Sequence, residues 1–442
     1  MVFDKPKSHM EVASLLFLNF LMVGCNKQHS GDLPAASTDW SRDILMTNLI
    51  VDLDSMRASA DIVLAGSLAS TGASFEIGDL IVEQVTSNAT QLNFRTGQGR
   101  LDVGVPLSVQ DQTLTIDYRF AIQDDFNGLL RSGATFIWPY YCGNLFPCRS
   151  EPAEGSSYSL MLEGVPDGAT GLFPQSITMD VPAYMVGWAV ASYSYQALGQ
   201  TVNGTEVGVY YRAGEEQNAL RGTRHLRDVF DWYEQTFGEY GFGQKVASVS
   251  VDWGGEAFGG IEHHPFWHIA SGSMSDPVIH AHEAAHGWFG NGVRIGCWED
   301  FVLSEGLASY LAARALEAVA GEAIGDQVWA SYKNQLDSLQ NSSENKIAWP
   351  QGCNEIDILE DGLFGTAPYM KGAFFFKHLE SVLGSNRFDR LLRDFYRANR
   401  GGAVTLQALL TLIGEESDYD PAQCAQAWLR NEALPQVELC GY

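Results

Sequence analysis

Basic residues are scarce in this chain. It carries 27 Lys and Arg against 54 Asp and Glu among 442 residues, for a formal net charge of −27. The sequence pI is about 4.6. That balance argues against nucleic acid, or any anionic surface, as a partner. An acidic surface of this kind serves solubility first. The apolar run near the start, Val12 to Val23, is broken by Ser14 and Asn19 and is too short to span a bilayer. No internal repeat and no low-complexity segment is present. What remains is 45% hydrophobic and 18% charged, the make-up of folded domains, with length enough for two or three of them.

The first 25 residues read as an export signal. Lys5 and Lys7 precede the apolar run, which ends Leu21-Met22-Val23-Gly24-Cys25. This resembles a bacterial lipobox, in which the cysteine after a small residue is lipidated and becomes the new N-terminus. Met22 stands where Leu is usual, and Asp4 and Glu11 lie near the basic residues. A plain secretory signal or a buried N-terminal helix are the other readings. The expectation is an exported protein of the bacterial cell envelope, held to the membrane through a lipidated Cys25. Residues 26–38 would be its tether.

Cysteine is also sparse: Cys25, Cys142, Cys148, Cys297, Cys353, Cys424 and Cys440. Without Cys25 an even set remains, which suits disulfides in an exported chain. Joining neighbours would pair Cys142 with Cys148, Cys297 with Cys353, and Cys424 with Cys440. Other pairings stay open on sequence alone.

Residues from about 39 to 198 read as strands. Leu114, Ile116, Tyr118 and Phe120 alternate along one face, and Ser157 to Glu163 also has period two. Leu45 to Leu53 reads as a further strand. From about Glu215 the pattern turns helical: Asn218 to Phe237, Trp298 to Val319, Ala373 to Leu383, Thr405 to Leu412 and Pro421 to Leu429. Val246 to Trp253 alternates like a strand. The fold class expected is α+β. An N-terminal antiparallel β-sandwich or saddle-like domain, about 39–198, would precede a mostly helical catalytic domain, about 199–442.

The chemistry concentrates in Val278 to Leu311. There His282-Glu283-Ala284-Ala285-His286 is followed, after 18 residues, by Glu305 in Ser304-Glu305-Gly306. Residues four apart share a helix face, so His282 and His286 can aim two imidazoles at one point. Glu305 on a second helix would complete three protein ligands with one open position, the arrangement of a catalytic zinc site. Glu283 stands where it can take a proton from a water at that point. One Zn2+ is the expected cofactor.

The stretch HEAAHGWFGN…WEDFVLSEGLASYL resembles the aminopeptidase N-like zinc metallopeptidases, a gluzincin family with a leukotriene-hydrolase-like branch. Two further motifs agree. Gly259-Gly260-Ile261-Glu262-His263 stands where the family has G-x-M-E-N, and Pro368-Tyr369-Met370-Lys371-Gly372 matches its P-Y-x-K-G setting. The resemblance implies a thermolysin-like catalytic domain and removal of N-terminal residues from peptides with a free N-terminus. It implies that Glu262 binds the α-amine, that Gly259 and Gly260 let the backbone pair with the peptide, and that Tyr369 donates to the oxyanion.

The departures are His263 for Asn, Ile261 for Met, and Ser304 where Asn is usual. His263, His264 and His268 read as exposed loop histidines rather than a second metal site. Near Trp138 to Tyr141 no extra Glu or Gln offers itself to the amine. Asp300 and Asn291 are candidates for holding the metal histidines from behind. The family's long helical domain is missing after Tyr369, so a more open cleft is expected. A zinc endopeptidase, epoxide-opening chemistry and a non-catalytic peptide-binding module are the rival readings.

Overall fold

A computed structural model describes residues 33–442 apart from 125, 138, 255–258, 354, 437–439 and 442. The lipobox with Cys25 and the first part of the tether therefore lie outside the described residues, as does Trp138.

The strand-rich half is built on a seven-stranded sheet. Its order is Ser176–Val181, Ser156–Glu163, Ile44–Asp52, Arg57–Leu64, Gln112–Arg119, Ile81–Ser87 and Thr90–Gln91. The alternation that marks these strands is the one that buries them. Ala58, Ala60, Ile62 and Leu64 face the core from one strand, and Leu114, Ile116 and Tyr118 from its neighbour. The register sets Ala60 opposite Ile116 and Ile62 opposite Leu114. One pair departs from an antiparallel sheet: Ile44–Asp52 runs parallel to Ser156–Glu163. Parallel neighbours need a long connection, and four other strands of this sheet are threaded between them, with Ser176–Val181 following.

A second sheet of five strands starts at Ser194–Gln200. It continues through Glu206–Tyr211, Lys245–Val251 and Phe266–Ala270, and ends on Gly260–Ile261 as its last strand. Helices α1 (Glu216–Gly222) and α2 (Leu226–Phe237) follow its second strand. The single helix expected over Asn218 to Phe237 is thus two, broken at Thr223 to His225. The Thr223 hydroxyl donates to the Ala219 carbonyl at 2.7 Å and closes the first.

The helices that matter most come next: α3 (Pro277–Ala285), α4 (Phe301–Ala320), α5 (Glu322–Gln340) and α6 (Thr366–Leu383), with α7 (Ser385–Asn399) and α8 (Leu406–Glu416) behind them. Asp276 caps α3 by accepting the Val278 N–H at 2.9 Å, and Pro277 takes the first helical position. α4 is buried on all sides from Phe301 to Ala313, so it is the axis of this half rather than a surface helix. α6 begins at Thr366, ahead of the aromatic-rich stretch Ala373 to Leu383, and takes in Pro368, which is tolerated in the first turn of a helix.

Buried residues of both halves join in one apolar core. The disulfides are Cys142–Cys148, Cys297–Cys353 and Cys424–Cys440, the neighbour pairing. No described helix is long and apolar enough to cross a membrane.

Candidate active site

α3 carries His282, its C-cap residue His286 follows on the same face, and α4 crosses them with Glu305. Nε2 of His282 lies 3.2 Å from Nε2 of His286 and 3.1 Å from Oε2 of Glu305. The same Oε2 is 3.6 Å from Nε2 of His286. Nδ1 of His286 is 3.0 Å from the Phe289 carbonyl, which can only accept. Nδ1 therefore carries the hydrogen, and Nε2 turns a lone pair toward the other two donors. Lone pairs and a carboxylate so close repel one another unless a proton or a metal cation lies among them. A tetrahedral zinc ion, about 2.0–2.1 Å from each imidazole nitrogen, would set the two nitrogens about 3.3 Å apart. The donor set fits that ion.

The electrostatics say the same. Burial opposes charge on His286, yet Glu305, Glu262 and Glu283 around it hold its pKa up at about 10. Burial would raise Glu305, but the His286 and His282 imidazoles beside it bring it down to about 2. Burial pushes Glu283 well above the usual carboxylate range; His286 opposes this, while Glu262 and Glu305 add to it. Three carboxylates crowd one point and ask for positive charge there.

Glu262 leaves the end of the last strand of the five-stranded sheet and turns to the same place. A carboxylate oxygen of Glu262, one of Glu283 and a ring nitrogen of His286 all lie within 4.8 Å of one another. The strand can come this near because Gly260 has no side chain: a Cβ there would sit 2.5 Å from Oε1 of Glu283. Gly259 and Gly260 line the same pocket, of about 420 Å³. Tyr369, in the first turn of α6, stacks its ring on that of His282 at 6.0 Å between centroids. Burial, then Glu305, Glu262 and Glu283, raise its hydroxyl well above the ordinary tyrosine pKa, which favours the neutral, donating form.

The pocket thus gathers every residue singled out for chemistry in the sequence. Several expectations about their surroundings are corrected. Neither the Asp300 nor the Asn291 side chain backs the imidazoles, although the Asn291 N–H donates to the His286 carbonyl at 3.1 Å. Asp300 accepts the Leu406 N–H at 2.9 Å, and Asn291 donates to the Glu262 carbonyl at 2.7 Å. The imidazoles are backed instead by the Phe289 carbonyl, by Ser304 at 3.3 Å from Nδ1 of His286, and by Ser309 at 3.3 Å from Nδ1 of His282.

His263, His264 and His268 are not exposed; their side chains are 0–1% accessible. They form no joint metal site. The His263 and His268 rings pack edge to face at 4.7 Å, while His264 turns toward Tyr240. Phe136, Ile137 and Tyr184 of the strand-rich half also line the pocket, and no sequence signal marked them. Lys371, the lysine of the Pro368 to Gly372 motif, stands outside that lining. Its ammonium is buried and donates to the carbonyls of Lys346, Asn431 and Glu432, fastening the start of α6.

Residues 271–428 match the Peptidase family M1 domain. Among curated relatives, Aminopeptidase M1-B of Oryza sativa subsp. japonica is 24% identical over 417 residues, covering 84% of this chain and 46% of the relative. Leucine aminopeptidase 2 of Saccharomyces cerevisiae is 25% identical over 400 residues, covering 80% and 58%. The chain therefore spans about half the length of the curated relatives it matches.

Among solved structures, native yeast LTA4 hydrolase superposes with a TM-score of 0.76 at 20% identity, covering 89% of this chain and 68% of that one. The M1 zinc metallopeptidase from Deinococcus radiodurans gives 0.72 at 17%, covering 92% and 97%. These likenesses establish the fold: a β-rich unit followed by a helical unit, as in M1 metallopeptidases.

Proposed function

Starting from residues 271–428 as an M1 peptidase family domain, we propose that the chain is a zinc-dependent aminopeptidase. One observation carries the reading: the Glu262 carboxylate stands beside Glu283 and His286, at the end of an edge strand. A peptide laid along that strand reaches the metal donors with its first peptide bond only if its N-terminus stops at Glu262. The pocket suits an ammonium group. Glu262, Glu283, Glu305 and Asp276 line it, and among the described residues no Lys or Arg does.

His282, His286 and Glu305 would hold one zinc ion, whose Lewis acidity polarises the scissile carbonyl and makes water a better nucleophile. The chain's own groups do the rest. Glu262 pairs with the α-ammonium, and Asn291 steadies Glu262 through its carbonyl. Gly259 and Gly260 leave the strand edge open to the peptide backbone. Glu283 receives a proton from the attacking water and returns it to the departing amine. The neutral Tyr369 hydroxyl donates to the oxygen of the tetrahedral intermediate.

The same proposal includes delivery and organisation. Residues 21–25 support lipid attachment at Cys25 and a place in the bacterial cell envelope. The strand pattern supports a β unit over about 39–198 ahead of the catalytic unit. Mass spectrometry of the membrane-extracted protein tests the anchor, since an unmodified N-terminus at Met1 would exclude it.

The activity is tested with paired peptides, one with a free N-terminus and one N-acetylated. The free peptide should be cleaved at its first bond at least ~10²-fold faster. Equal rates with cleavage at internal bonds would make the enzyme an endopeptidase.

A further inference from the structure

α3 stops one residue short of its second metal histidine. The N–H of Gly287, which a continued helix would direct at the Glu283 carbonyl, bonds instead to Ala284 at 3.2 Å. The Glu283 carbonyl is met by a side chain: Nε2 of His264 lies 2.8 Å away. Nδ1 of the same ring lies 2.7 Å from the Tyr240 hydroxyl. Both side chains are buried, His264 fully and Tyr240 to 5% accessibility. His264 is also only two residues beyond Glu262 in the chain.

The hydrogens follow from the acceptors. A carbonyl can only accept, so Nε2 of His264 carries the hydrogen. Burial drives this imidazole strongly toward its neutral form, so Nδ1 is an acceptor and the Tyr240 O–H donates to it. Tyr240 thereby selects the tautomer that can reach Glu283. The ring has no room to turn away. It packs against Trp267 at 5.1 Å and against Tyr240 and Phe242 at 5.7 Å, centroid to centroid. One neutral ring thus links the segment carrying the amine anchor to the backbone of the proton carrier.

We propose that His264 is a positioning residue of the site. Its Nε2–H supplies the hydrogen bond that the truncated helix withholds from the Glu283 carbonyl. It thereby sets where the Glu283 carboxylate and the His286 ring stand relative to Glu262. The inference rests on the reading of Glu283 as the proton carrier. It adds to that reading a determinant lying outside the pocket lining.

His264→Phe keeps a planar ring and removes the donor. His264→Gln places an amide N–H the same number of bonds from Cα as Nε2. Both are compared with wild type, zinc-loaded, for kcat and KM on a leucyl-anilide and for zinc affinity by chelator competition. The Phe variant should lose at least ~10-fold in kcat with KM within ~2-fold, and should release zinc at least ~5-fold more readily. The Gln variant should return to within ~3-fold of wild type on both measures.

Wild-type kcat in the Phe variant overturns the proposal, and so does a Gln variant as impaired as Phe in both kcat and zinc affinity. Should His264→Phe not fold, Tyr240→Phe carries the test, with kcat at least ~3-fold down at constant KM; unchanged kcat there overturns it equally. If wild type turns over no substrate with a free amine, the aminopeptidase reading fails by itself. Chelator competition then still decides the role of His264.

Discussion

Gly306 of α4 and Gly372 of α6 meet backbone to backbone. A Cβ on Gly372 would lie 2.6 Å from the Gly306 Cα, and a Cβ on Gly306 would lie 2.7 Å from the Gly372 Cα. Glu305 precedes the first glycine and Tyr369 lies one turn before the second. Glu305 and Tyr369 share a pocket because two helices cross with nothing between them. Gly306→Ala and Gly372→Ala should each force the helices apart. We expect a loss of roughly 1–3 kcal/mol in urea unfolding, the usual cost of overpacking. Zinc content and kcat should fall with it.

Tyr369→Phe separates the hydroxyl from the ring that packs on His282 and Phe301. Loss of one oxyanion donor typically costs about 10²–10³ in kcat. The variant should bind zinc as wild type does and keep KM within a few-fold. A kcat near wild type would remove Tyr369 from the chemistry.

Asp300 gives a pH signature of stability. Burial raises its pKa from the ordinary carboxylate value to about 6, against the pull of the Leu406 N–H. The folded chain then holds this proton more tightly than the unfolded one. The resulting stability is complete below about pH 4 and is lost as pH rises through about 6. Asp300→Asn removes the titration and can keep an oxygen for Leu406. From pH 4 to 7 the wild type should lose up to about 3 kcal/mol relative to the Asn variant, at about 1.36 kcal/mol per pKa unit. Parallel pH curves for the two proteins, by chemical unfolding, would contradict this.

The Cys297–Cys353 bridge ties the residues just ahead of α4 to those beyond α5, 56 positions apart in sequence, and so closes a segment that holds both helices. A double Ser variant should be destabilised by about 2–4 kcal/mol, on the usual scale for such a crosslink. Its active-site zinc affinity should change far less than its unfolding midpoint. A midpoint that does not move would make the bridge dispensable.

The parts of the site legible in the sequence are those whose logic is local. His282 and His286 are one helical turn apart, and Glu305 sits on a helix with an unmistakable apolar pattern. The supports were not legible because their partners are brought in by folding. Ser309 reaches a histidine 27 positions away, and Arg294 threads to the Asp180 and Ala153 carbonyls of the other half. His263, His264 and His268 look like loop residues because Gly, Pro and polar neighbours surround them. His263 and His264 are buried because the turn between the last two strands of the five-stranded sheet is packed against α3, and His268 because it lies within the strand Phe266–Ala270. The parallel pairing of Ile44–Asp52 with Ser156–Glu163 was equally hidden, since alternation tells which face is buried but not which strand lies alongside.

In the proposed mechanism Glu283 moves a proton for the water that attacks a peptide next to a bound ammonium. The direct measurement is turnover of a leucyl-anilide by Glu283→Gln, with zinc quantified in the same preparation. We predict full zinc occupancy and a kcat at least ~10²-fold below wild type. A zinc-loaded variant that still turns over at the wild-type rate would contradict the mechanism.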